Sequence, residues 1–255
     1  MLEGIEDYVG ENVRVLYSEG CHLYRDRTSN LAMEHDRDSE VRAVCEASDV
    51  VIAVVGLDAT LEGEEGDTGN EYGSGDKPNL NLPGLQPDII RIAKESGKPV
   101  IVVLLAGSAM ALSWEDEHVD AILDGFYPGA QGGAAIAEIL FGGANPEGKL
   151  PITFYQTTEE LPEFTDYAMK GRTYRYMENE ALYPFGYGLS YTTYAYGNLE
   201  CVKPFDAQDG ITLQVTVTNT GDREGTETLQ VYVKAKREGT PNPQLKYCLL
   251  YTSPS

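Results

Sequence analysis

Residues 49–56 read DVVIAVVG and residues 99–107 read PVIVVLLAG. Each is a continuous apolar, mostly β-branched run that ends on glycine, the pattern of a strand covered on both faces. Between them, LPGLQPDIIRIAKESGKP (82–99) has helical periodicity, with Leu85, Ile89, Ile92 and Ala93 on the inward face and Gly97 at the C-cap. Strand, helix, strand at this spacing predicts a right-handed βαβ unit and a mostly parallel, doubly wound sheet.

The pattern extends outward from this unit. On the N-terminal side, NVRVLYSEG (12–20) alternates as a strand would, and DRDSEVRAVCEASD (36–49) places Val41, Val44, Cys45 and Ser48 on one helical face. Downstream, VDAILDGF (119–126) is a third strand and GGAAIAEILFG (132–142) a further helix. From about residue 151 the chain turns aromatic and proline-rich, as an ordered connector packed by tyrosines. GITLQVTVTNTGDREGTETLQVYVKA (210–235) then switches to period 2, with Ile211, Leu213, Val215 and Val217 on one face. That alternation predicts antiparallel sheet, the beginning of a β-sandwich. The expected organisation is an α/β sandwich over 1–165, a connector over 166–196 and an incomplete antiparallel β-sandwich over 197–255. The stretch from about Tyr247 fits the preceding pattern poorly and reads as a non-native tail.

Composition narrows the function. Forty-one acidic residues against 19 basic ones give a net charge of −22, a field that repels phosphate backbones and anionic membranes. Nucleic acid and membrane are therefore not expected partners, whereas neutral sugars are compatible. No stretch has the length of a membrane span. No signal peptide is visible at the N-terminus, which favours the cytoplasm. Cys21, Cys45, Cys201 and Cys248 are widely spaced without a CxxC pair, so neither a disulfide framework nor a metal site is expected.

In parallel sheets of this kind, ligands bind outside the carboxyl ends of the strands. Leaving the 49–56 strand at that edge is GLDATLEGEEGDTGNEYGSGDKPNLNLPG (56–84). It carries Asp58, Glu62, Glu64, Glu65, Asp67, Glu71 and Asp76 against the single cation Lys77. The loop AGSAMAL leaves the next strand at the same edge. Three readings compete for the acidic loop. It could be a solvated surface loop. It could bind calcium, although its acids do not follow the EF-hand spacing. Or it could carry an acid/base carboxyl, since crowding by like charge raises a carboxyl pKa towards the range a proton donor needs. Nucleotide binding lacks a glycine fingerprint. A serine triad at Ser108 lacks the GxSxG elbow, with only His22, His35 and His118 scattered elsewhere.

GFYPGAQGGAAIAEILFGGANPEGKLPITF, YPFGYGLSYTTYAYGNL and VTVTNTGDREGTETLQVYV closely resemble the C-terminal region of glycoside hydrolase family 3. That family comprises β-glucosidases, β-xylosidases and related exo-acting enzymes. The resemblance runs from residue 1 to about residue 245. It implies an α/β sandwich lacking its first strand, then part of a fibronectin type III-like domain. The barrel that holds the family's aspartate nucleophile is absent, so no residue of this chain is the nucleophile. It also implies that LEGEEGD supplies the general acid/base, Glu64 by alignment of Glu64-x-x-Asp67, with Glu62 and then Glu65 as alternatives. Asp76 and Lys77 fall where relatives carry an aspartate and an arginine ahead of LNLP, which implies substrate binding there, with Lys77 a departure from the family's arginine. The resemblance implies a β-linked oligosaccharide or glycoside as substrate, with terminal glucose or xylose, retention of configuration, and no cofactor or metal. The alternative is a non-catalytic carbohydrate-binding or structural module.

Overall fold

The computed structural model describes residues 1–27, 29–63, 77–206, 210–234 and 246–251. The elements, in order, are α1 (Leu2–Val9), α2 (Asp38–Glu46), β1 (Val51–Gly56), α3 (Gln86–Glu95), β2 (Val100–Leu105), α4 (Ser113–His118), β3 (Ala121–Asp124) and α5 (Gly132–Leu140). A short helix α6 (Thr173–Tyr176) lies in the connector. After it come β4 (Tyr194–Asp206), β5 (Gly210–Asn219), β6 (Leu229–Lys234) and β7 (Lys246–Tyr251).

β1, β2 and β3 form one parallel sheet in that order, with Val51 opposite Val100 and Ile101 opposite Ala121. β2 is the central strand, and Val100, Val102, Val103 and Leu104 are fully buried. A strand buried on both faces cannot alternate, which is why its sequence is apolar throughout. Two clusters pack on the sheet. Ile90 of α3, Leu61, Leu82, Met110, Leu112 and Phe154 join one with Ala53, Val102 and Leu104. Val41 and Cys45 of α2 join Ile92, Ala93 and Val100 in the other.

The three strands of the parallel sheet and the three helices of the sequence reading are present, the helices trimmed at their ends. Two differences have physical causes. The alternating stretch 12–20 forms no ladder; Val15 packs against Ile5, Val9 and Ala137 while Val13 and Tyr17, in the same phase, are exposed, so the alternation marks neither a backbone pairing nor a covered face. In α3 the buried face includes Ile90 and the polar Gln86, because Gln86 is needed at the end of β1.

The connector is fastened to the α/β layer by Phe154, which is 1% exposed and pairs through its backbone with Tyr183. Tyr183 also donates to Asp116 Oδ1 at 2.5 Å and stacks on Tyr187. Beyond it, β4 pairs antiparallel with β5 and β6 with β7. Ile211, Leu213 and Val217 of β5 are exposed. No helix among the described residues is long and apolar enough to cross a membrane.

Candidate active site

β1 delivers its chain to the sheet's carboxyl edge at Gly56, and the ladder runs one residue further through Leu57 N–H to the Leu105 carbonyl at 2.8 Å. Asp58 then folds the chain into a tight turn. Its side-chain Oδ1 accepts from Thr60 N–H at 2.8 Å and from the Thr60 hydroxyl, the local bonding that makes aspartate a turn residue. Leu61 N–H and Glu62 N–H both return to the Asp58 carbonyl at 3.0 Å. Leu61 plugs into the core with no exposed surface. With Leu61 fixed inward, the next side chain, Glu62, is turned across the strand ends.

Glu62 is where the loops of three strands meet. Its Oε2 accepts the Gly107 N–H at 2.9 Å, just past β2. The Ser108 hydroxyl donates to Oε1, and the Tyr127 hydroxyl, from the loop after β3, donates to Oε2. Lys77 Nζ lies 3.9 Å from Oε1. Burial alone would raise the pKa of this carboxyl, but the Ser108, Tyr127 and Gly107 hydrogen bonds and the Lys77 charge outweigh it and hold it below the ordinary value. Glu62 is therefore an ionised, fully engaged carboxylate at neutral pH.

Lys77 begins the returning limb of the acidic loop. Its ammonium donates to the Ala109 carbonyl at 2.6 Å and approaches Met110 Sδ at 3.2 Å. Burial lowers its pKa, with Glu62 opposing. The limb is held further on by Leu80, whose carbonyl accepts Ala111 N–H at 2.7 Å and whose N–H donates to the Thr158 hydroxyl at 3.0 Å. Tyr127 in turn follows Phe126, whose φ of 47° is the left-handed region that a bulky residue seldom enters. Phe126 N–H bonds Asp124 Oδ1 at 3.0 Å, and that bond steadies the strained turn. Burial raises the pKa of both Tyr127 and Asp124; the bond to Glu62 adds to the shift at Tyr127.

Gly107 must be glycine for this arrangement. A Cβ there would sit 2.6 Å from the Tyr127 ring and 3.2 Å from Glu62 Oε2. Of the residues singled out in the sequence, Glu62 and Lys77 come together here. Glu64, Glu65, Asp67, Glu71 and Asp76 lie outside the described residues. Ser108, Gly107 and Tyr127 carried no acid/base signal of their own. Only their position after strands, in AGSAM and GFYPG, could have suggested them.

The carboxyl-edge placement, the acidic loop and the GFYPG turn converge on one assignment. Residues 1–191 match the Glycosyl hydrolase family 3 C-terminal domain. The chain belongs to glycosyl hydrolase family 3. The chain is 47% identical over 187 residues to a xylan 1,4-beta-xylosidase of Xylanibacter ruminicola, covering 72% of this chain and 21% of that protein. It is 36% identical over 260 residues to a periplasmic beta-glucosidase of Salmonella typhimurium, covering 92% of this chain and 33% of that protein. Among solved structures, a b-glucosidase from Erythrobacter marinus superposes with a TM-score of 0.77 at 30% identity, over 98% of this chain and 35% of the other. A GH3 exo-beta-xylosidase in complex with a xylobiose aziridine probe gives a TM-score of 0.75 at 28% identity, over 97% of this chain and 33% of the other. The chain thus spans about a fifth to a third of the length of these family 3 relatives.

Proposed function

We propose that these residues form the acid/base-bearing part of a retaining exo-β-glycosidase that removes terminal glucose or xylose from β-linked oligosaccharides or glycosides. The family match over residues 1–191 carries this reading. The names of the relatives, β-xylosidases and β-glucosidases, support the substrate class.

In this mechanism an aspartate of a barrel outside these 255 residues attacks the anomeric carbon as the glycosidic C–O bond breaks. Glu64 gives its proton to the departing oxygen. Glu64 then takes a proton from water, whose oxygen bonds to the anomeric carbon and releases the aspartate carboxylate. Retaining chemistry of this kind sets the two carboxyls about 5–5.5 Å apart. Two residues upstream, Glu62 is ionised and fully hydrogen-bonded, which suits it poorly to hold a proton at neutral pH. That speaks against Glu62, and the Glu64-x-x-Asp67 spacing of the family resemblance favours Glu64 over Glu65. Asp76 and Lys77 remain candidates for substrate contact, with Lys77 placed at the same edge.

The test uses the full-length enzyme and aryl β-glucosides and β-xylosides. Glu64→Gln should lose about 10²–10⁴ in rate on poor leaving groups, the usual worth of general acid help, and azide should restore turnover of activated substrates as glycosyl azide. Unchanged activity, or no azide rescue, removes Glu64 from the role. The 255 residues alone should hydrolyse neither substrate, since half the carboxyl pair lies elsewhere. Turnover by them would contradict the two-domain mechanism.

A further inference from the structure

Glu62 is built unlike a proton donor and unlike a surface acid. Its side chain is 13% exposed and takes hydrogen bonds from groups on two different loops, those that follow the buried strand β2 and its neighbour β3. A surface ion pair gains little from one flexible partner; here a backbone N–H, two hydroxyls and an ammonium converge. The chain on its N-terminal side is pinned by the buried Leu61, and its partner Lys77 is bonded to the β2–α4 loop as well. Leu80 repeats that attachment through Ala111.

We propose that Glu62 is a positioning residue: its carboxylate ties the outgoing limb of the acidic loop, and through Lys77 the returning limb, to the carboxyl ends of β2 and β3, and so sets where the proton donor stands. This rests on the glycosidase reading above. Two peptide units reach no further than about 7 Å, so fixing Glu62 restricts any group borne two residues on. Misplacing a reacting group by about 1 Å can cost about 10²-fold, which makes such a clamp worth building. The clamp acts through Glu64 and exchanges no proton with substrate itself.

The experiment compares wild type, Glu62→Gln and Tyr127→Phe in the full-length enzyme. Aryl β-glycosides with good and poor leaving groups are used, across pH and with azide. For Glu62→Gln the expected result is about a 10²-fold fall in kcat/KM on the poor leaving group and at most about 10-fold on the good one. The basic limb of the pH profile should stay in place, because Glu64 still titrates, and no glycosyl azide should form, because its carboxylate still fills the site. Tyr127→Phe, which keeps the carboxylate and removes one donor, should show the same pattern more weakly, and it serves if Glu62→Gln does not fold. Azide rescue of Glu62→Gln with loss of the basic limb would make Glu62 the proton donor and overturn the inference. Equal losses on both leaving groups, or none, would overturn it too. A wild-type enzyme inactive on every β-glycoside would instead remove the glycosidase reading, and the inference with it.

Discussion

The Gln86 side chain serves Gly56 as a neighbouring strand would. Its Oε1 accepts the Gly56 N–H at 2.7 Å while its Nε2 donates to the Gly56 carbonyl at 2.9 Å. The same Nε2 donates to the Leu23 carbonyl at 2.6 Å. One buried carboxamide therefore satisfies three backbone groups where β1 ends and the acidic loop begins. Removing it leaves buried polar groups unpaired, at about 1–3 kcal/mol each.

Gln86→Ala should accordingly destabilise the protein by about 2–4 kcal/mol. Gln86→Glu should do worse, because it turns an acceptor towards two carbonyls. Urea unfolding followed by the fluorescence of Trp114, the single tryptophan, measures both. Midpoints within error of wild type would show that water replaces the carboxamide at no cost.

Two glycines at the same edge should fail in different ways. A Cβ on Gly56, whose φ is 139°, would lie 2.0 Å from the Leu105 carbonyl oxygen, backbone that cannot yield without parting β1 from β2. Gly56→Ala should therefore abolish folding, read as loss of soluble protein or of a cooperative transition. A Cβ on Gly107 meets a side chain, Tyr127, 2.6 Å away. Gly107→Ala should fold, displace Tyr127 from Glu62, and lower kcat/KM of the full-length enzyme by about 10²-fold. The reverse order of severity would contradict both assignments.

β2 was legible in the sequence because burial on two faces leaves a continuous apolar signal, VIVVLL; VIAVVG of β1 gives the same signal and forms its strand, although Val54 on one face is exposed. The helix α3 was legible through its periodicity, although Gln86 on its buried face was not: a polar residue inside gives no periodic signal, and its partners, Gly56 and Leu23, are far away in sequence. The same limit applies to the site. Acidic crowding drew attention to the loop and to Glu62, while the groups that hold Glu62 are a backbone N–H, a serine and a tyrosine from two other loops. Hydroxyl donors are common in loops, and only the folded strand ends bring these together. In β4–β7 the alternation of Ile211, Leu213 and Val217 correctly marks antiparallel strand, yet these side chains are exposed, since period 2 tells which residues share a face and not what covers it.

Glu62 should also leave a signature in stability against pH. Its folded pKa is depressed, so its contribution is present above the unfolded value of about 4.3 and is lost as pH falls through the lower folded value. Glu62→Gln should thus be less stable than wild type at pH 7, with the gap closing below about pH 4. Urea midpoints at a series of pH values test this. A gap independent of pH would mean that the carboxylate charge contributes nothing to the clamp.

Asp124 should show the opposite sign. Its Oδ1 takes the Phe126 N–H, but Oδ2 is buried with no hydrogen-bond partner among the described residues, and burial raises its pKa. The native state therefore binds this proton more tightly than the unfolded chain. The resulting penalty is absent below the unfolded value of about 3.9, grows as pH rises towards the folded value, and is fully present above it. Asp124→Asn keeps the acceptor for Phe126 and cannot ionise, so its stability relative to wild type should climb over the pH range that starts at the unfolded value of about 3.9 and ends at the higher folded one. The unpaired amide it introduces adds a constant offset, which is why the slope is the quantity to measure and not the sign at one pH. A relative stability flat across that range would mean that Asp124 titrates alike in the folded and unfolded chains, and that the turn presenting Tyr127 to Glu62 is held without a buried charge.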